Sequence, residues 1–158
     1  VSDRAAPWVA VVGTGEASAE LEAVAEAVGR AVAEAGAVLV CGGLGGVMAA
    51  ACRGAAAVGG HTVGLLPGED RAVANEWVAV AIATGLGELR NGLIVRSADA
   101  LVAVGGGWGT LSEIALARKA GKPVVGIGTW ELGEDGVIAS GDPQEAVALA
   151  LRAADGAG

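Results

Sequence analysis

The sequence predicts a single α/β domain built on a doubly wound, mostly parallel sheet flanked by helices. Three observations carry that prediction. Short Val-rich apolar runs alternate with helical patterns along the chain. Most of these runs lack polar–apolar alternation, which marks strands buried on both faces. Glycine clusters close three of the runs at the point where a strand would feed a helix. With 158 residues, 53% of them hydrophobic, the chain is sized for one core. An ordered core is expected over 7–153 and a frayed tail over 154–158.

Trp8–Gly13 (WVAVVG) reads as the first strand. A helix follows, because Ser18 can cap it, Glu20 and Glu22 fall in its first turn and Gly36 stops it. Leu21, Val24, Val28 and Val32 form its apolar stripe. Ala37–Gly43 is the second strand. Residues 46–60 form a helix that is apolar nearly all round and ends at Gly59-Gly60. One sheet face cannot bury such a helix completely, which predicts a homo-oligomer, at least a dimer, with this helix and the one bearing Arg90 as the candidates for the interface. His61–Gly68 and Trp77–Thr84 read as strands, and a helix spans about Glu88 to Ser97. Ala100–Gly107 is a strand, Thr110–Ala120 a helix and Pro123–Gly128 the last strand. Glu131–Asp142 reads as a surface excursion. Asp142 then caps a final helix, with Pro143 at its first position and Glu145 closing a capping box.

A net charge of −8 without a Lys/Arg cluster argues against nucleic acid or an anionic membrane surface as partner. No apolar run approaches the roughly 20 residues that span a bilayer, and no signal peptide is recognised. A cytoplasmic protein is expected. Cys41 and Cys52 lack a CxxC spacing, and His61 is the single histidine, so no metal site is expected. Buried, reduced thiols are the expectation for both cysteines.

Glycine-rich turns at the strand ends carry the chemistry. After the first strand, GTGEAS supplies Gly13 and Gly15, only part of a G-x-G-x-x-G fingerprint. The second strand ends in CGGLGGVM where a nicotinamide cofactor would want an acidic residue, which argues against NAD. No Gly-Lys-Ser/Thr follows, so it is not a Walker loop. Glycines at such turns let backbone N–H groups approach an anion, or let a helix pack tightly on a strand. Both readings stand at this point. GGGWGTLSE, Gly105 to Glu113, is a further anion-binding turn, and two on one sheet edge favour a nucleotide or sugar phosphate. Thr110-Leu111-Ser112-Glu113 also fits the S/T-x-x-E capping box, in which Glu113 would only satisfy a cap amide.

GGLGGVM, RN, SADALVAVGGGWGTLSEIALA and GKPVV resemble the LOG-like, formerly "lysine decarboxylase-like", Rossmann superfamily. That superfamily includes LOG phosphoribohydrolases and molybdenum-cofactor carrier proteins. The resemblance runs from Val9 to about Val125. It implies a Rossmann-like fold, assembly as a dimer or tetramer, and a catalytic role for Arg90 and Glu113. It also implies that Gly106, Gly107, Gly109 and Thr110 cradle phosphate, with Gly42, Gly43, Gly45, Gly46 and Met48 from the second turn. Gly105 stands where LOG enzymes have proline and Asn91 where they have lysine, as in the carrier branch. One implied function is cleavage of the N-glycosidic bond of a nucleoside 5′-monophosphate, which needs no cofactor. Glu113 would then stabilise oxocarbenium charge and orient water, while Arg90 holds the carboxylate and ribose. The alternative is a non-catalytic carrier with the molybdenum cofactor as ligand. Lysine decarboxylation is not expected: the two lysines, Lys119 and Lys122, both lie at a helix exit.

Overall fold

The computed structural model describes residues 5–133 and 135–157. The elements follow in the order β1 (Trp8–Gly13), α1 (Ala19–Glu34), β2 (Val38–Cys41), α2 (Val47–Ala56), β3 (Thr62–Leu66) and β4 (Val80–Ala83). Then come α3 (Arg90–Ser97), β5 (Ala100–Val104), α4 (Trp108–Lys119), β6 (Val124–Ile127), β7 (Ile138–Ala139) and α5 (Pro143–Gly156). The strands form one sheet in the order β4-β3-β2-β1-β5-β6-β7. Every neighbouring pair is parallel. The strand order reverses between β1 and β5, so the chain leaving β1 enters α1 on one face and the chain leaving β5 enters α4 on the other. That divergence opens a crevice at the carboxyl ends of the two strands.

Alternate residues of the central strands feed two cores. Val9, Val11, Leu39, Val102 and Val104 pack with α1, α2 and α5. Ala10, Val12, Val40, Leu101 and Ala103 pack with Ile94 and Val95 of α3 and Ile114 and Ala117 of α4. Apolar runs without alternation are what such strands require. Ser18 caps α1, its Oγ accepting from the Leu21 N–H at 3.2 Å. Asp142 caps α5, its carboxylate accepting from the Glu145 N–H at 2.8 Å.

The apolar character of α2 is accounted for within one subunit, which corrects the premise on which it was expected in an interface. A Cβ built on Gly29 of α1 would stand 1.8 Å from the Ala51 carbonyl oxygen. One built on Gly54 of α2 would stand 1.9 Å from that of Glu26. The two helices therefore touch backbone to backbone, and α1 buries the face of α2 that the sheet leaves. At the rim, Arg53 grips Glu26 at 2.8 Å. Gly29→Ala is expected to destabilise the fold by about 2–3 kcal/mol through forced separation of the helices. This outweighs the roughly 1 kcal/mol of helix propensity that alanine adds. A urea titration checks it, and a variant as stable as the wild type would contradict the account.

Three further expectations are corrected. The fourth strand is confined to Val80–Ala83 and lies at the sheet edge, with Val80 and Ile82 exposed rather than buried on both faces. Within the supposed excursion, Ile138–Ala139 pairs with β6 as a seventh strand. The expected frayed tail is helical as far as Gly156, because Leu151 and Ala154 pack on the core. Gly158, the last residue of that tail, lies outside the described residues. Among the described residues, no helix is long and apolar enough to cross a membrane.

Candidate functional site

The crevice at the strand-order reversal holds a cavity of about 420 Å³. Gly13 and Gly15 line it from the turn after β1, Gly42 from the end of β2 and Met48 from α2. Gly107, Gly109 and Thr110 line it from the opening of α4, and Arg90 and Asn91 from the opening of α3. Glu113 lies one turn further along α4 and also lines it. Gly43, Gly45, Gly46, Gly105 and Gly106 do not; they shape the turns behind the wall. The turn after β2 packs directly on the turn after β1, and Val47 N–H donates to the Thr14 carbonyl at 3.0 Å. Helix packing therefore takes up much of this second glycine cluster.

The opening of α4 differs from its expected form, and the difference decides how Glu113 is used. The helix begins at Trp108 with Gly107 as its cap residue, not at Thr110, and no side chain caps it. Thr110 is thus inside the first turn, and the Thr110–Glu113 capping box does not form. The first N–H groups of a helix lack intrahelical partners, and here the cap offers them no side-chain oxygen. Such a turn facing a cavity is suited to an anion, favoured further by the helix dipole.

Glu113 is 6% exposed and Arg90 8%, unusual burial for charged side chains. Arg90 Nη1 lies 3.9 Å from Glu113 Oε1, an ion pair without tight contact. Burial pushes the Glu113 carboxyl up to about 7, with the Arg90 charge opposing the shift. Burial also pulls Arg90 below its usual value, opposed by Glu113 and Cys41. Arg90 is held by its neighbour: Nη1 donates to Asn91 Oδ1 at 2.8 Å. Asn91 Nδ2 donates to Ser112 Oγ at 3.4 Å, and Ser112 Oγ donates to the Gly109 carbonyl at 2.7 Å. This chain ties the guanidinium to the cavity-lining turn of α4. Gly42 lies against the guanidinium, where a Cβ would come within 2.6 Å of Nη1.

Sequence reasoning missed several neighbours. Thr14, Pro67, Gly87 and Glu88 share the cavity wall. Asn75, in the segment between β3 and β4, clamps the second glycine turn. Its N–H donates to the Gly43 carbonyl at 2.9 Å, and its Nδ2 donates to the Leu44 carbonyl at 2.9 Å. Behind Gly42, Cys41 and Cys52 are buried free thiols with sulfurs 3.5 Å apart. The hydrogen bond between the two thiols holds Cys41 below its usual value.

The profile of the SLOG cluster4 family matches residues 6–154. A protein of Archaeoglobus fulgidus described as uncharacterized is 47% identical over 119 residues, which are 75% of this chain and 78% of that protein. The molybdenum cofactor binding protein of Rippkaea orientalis superposes with a TM-score of 0.87 at 36% identity, covering 94% of this chain and 96% of that one. The Moco carrier protein of Chlamydomonas reinhardtii superposes with a TM-score of 0.86 at 36% identity, covering 96% and 99%. A profile match over nearly the whole chain, on a fold and a glycine-lined crevice of this form, places the protein in the SLOG cluster4 family, within the LOG-like superfamily.

Proposed function

We propose that the cavity binds a phosphate-bearing metabolite and that the protein is a carrier of the molybdenum cofactor. The observation that carries this reading is the α4 turn, opening without a side-chain cap onto a cavity, in a fold shared with two molybdenum-cofactor-binding proteins at 36% identity. The phosphate would rest on the amides of Gly107, Gly109 and Thr110, with Gly13 and Gly15 opposite. Arg90 adds positive charge at the wall. Asn91, which holds the guanidinium, replaces the lysine of the LOG enzymes and adds no charge of its own. Mass spectrometry of small molecules that co-purify with the protein tests the reading. A molybdopterin is the expected finding; nucleoside monophosphates alone would contradict the carrier role.

One observation favours a second reading, a phosphoribohydrolase. A buried carboxyl raised to about 7 titrates near neutral pH, where a general base works best. In that reaction the bond from C1′ to the base nitrogen breaks, water oxygen adds to C1′ and the nitrogen takes a proton. Release of ribose 5-phosphate from nucleoside monophosphates is its assay, and no turnover on any of them would remove it.

We also expect self-association, through β4 and the approach to α3 rather than α2. Val80, Ile82, Leu86, Leu89 and Leu93 are all exposed there, beside an unpaired strand edge. Light scattering at micromolar concentration should give a dimer or larger species. A monomer would contradict it.

A further inference from the structure

We propose that Trp108 is the specificity-determining platform of this site, stacking on a planar fused heteroaromatic ring of the ligand whose phosphate rests on the opening turn of α4. The inference rests on reading the cavity as a phosphate-ligand site. Trp108 is 79% exposed and belongs to neither hydrophobic core, so core packing does not account for an indole at that position. Trp108 is not itself part of the cavity lining, but its immediate neighbours, Gly107 and Gly109, both are. A phosphate on their amides is one residue away from the indole, and neither glycine has a side chain to block a ring lying across that turn.

The indole is also held in place. Trp130, in the loop after β6, packs against the core beneath it and donates its Nε1–H to the Gly107 carbonyl at 3.2 Å. The two rings lie 5.2 Å apart at an interplanar angle of 41°, a favourable tilted contact. Trp130 thus fastens the loop to the phosphate turn and supports one side of Trp108, while most of that ring stays open to solvent. An ordered exposed aromatic beside an anion site suits an amphipathic ligand with one charged end and one flat end. A purine nucleotide and a phosphorylated pterin share that chemistry.

Calorimetric titration of wild type, W108A and W108F with ribose 5-phosphate, AMP and neopterin 3′-phosphate separates the contributions. Loss of a stacked ring should weaken binding about 10-fold or more. W108A is expected to show that loss for at least one of the two ring-bearing ligands, and W108F to recover most of it. Ribose 5-phosphate, which has no ring, should bind all three proteins equally. Loss for AMP alone or the pterin alone supports stacking and names the ring. Equal affinity of W108A and wild type for both ring ligands, with ribose 5-phosphate still bound, overturns the platform and leaves the phosphate seat standing. Wild type that binds none of the three overturns both.

Discussion

Glu113→Gln should remove the main pH dependence of stability between about pH 4.5 and 7. The folded state holds this proton more tightly than the unfolded chain, whose carboxyl titrates near its ordinary 4.5, whereas burial raises the folded value to about 7. A raised carboxyl contributes stability that is fully present below 4.5 and is lost as pH rises through about 7. A shift of this size corresponds to about 3 kcal/mol. Gln keeps the shape and stays neutral, so the variant should match the wild type at pH 4 and exceed it by about 3 kcal/mol at pH 8. Urea unfolding at the two values measures this, and parallel pH profiles would contradict it. If the site also hydrolyses nucleotides, the same substitution should cost about 10²-fold or more in rate, because a neutral amide cannot stabilise developing positive charge. Gain in stability with loss of rate would mark strain kept for chemistry. Gain alone fits a carrier.

Gly46→Ala should weaken ligand binding by on the order of 10²-fold, although Gly46 does not line the cavity. Its φ is +58°, and a Cβ there would meet the Thr14 carbonyl oxygen at 2.4 Å. The backbone conformation alone costs a non-glycine residue about 1–3 kcal/mol. The clash would push the turn after β1, with Gly13 and Gly15, out of place. Displacement of a binding wall by about 1 Å can cost on the order of 10²-fold. Gly45→Ala is the control: its Cβ would stand 3.4 Å from the Gly15 carbonyl oxygen, with φ outside the left-handed region. It should bind ligand nearly as the wild type does. Equal losses in the two variants would contradict the account.

The central strands, the flanking helices and the glycine turns at the strand ends were legible because each depends on local pattern. Buried strands read as unbroken Val-rich runs, and Ser18 and Asp142 announce their helices within a few residues. What was illegible depends on residues far apart. The α1–α2 crossing rests on Gly29 meeting Ala51, so the apolar surface of α2 looked like an intermolecular face. β7 has two residues in a Gly- and Asp-rich segment and exists only because β6 offers an edge. The start of α4 was displaced by two residues because Thr110 and Glu113 have the spacing of a capping box, while the real cap, Gly107, has no side chain to signal it. Arg90 and Glu113 were found through family resemblance. Their burial, and the Asn91–Ser112 link across 21 positions, needed the fold. Asn75 gave no local signal at all.

The claim on which the rest depends is that an anion sits on the uncapped opening turn of α4. The most direct measurement is a crystal structure of the protein soaked with AMP. The account predicts phosphate oxygens within hydrogen-bonding distance of the Gly107–Thr110 amides, in the cavity shared with Gly13, Gly15 and Arg90. A phosphate bound elsewhere, with that turn left to solvent, would contradict it.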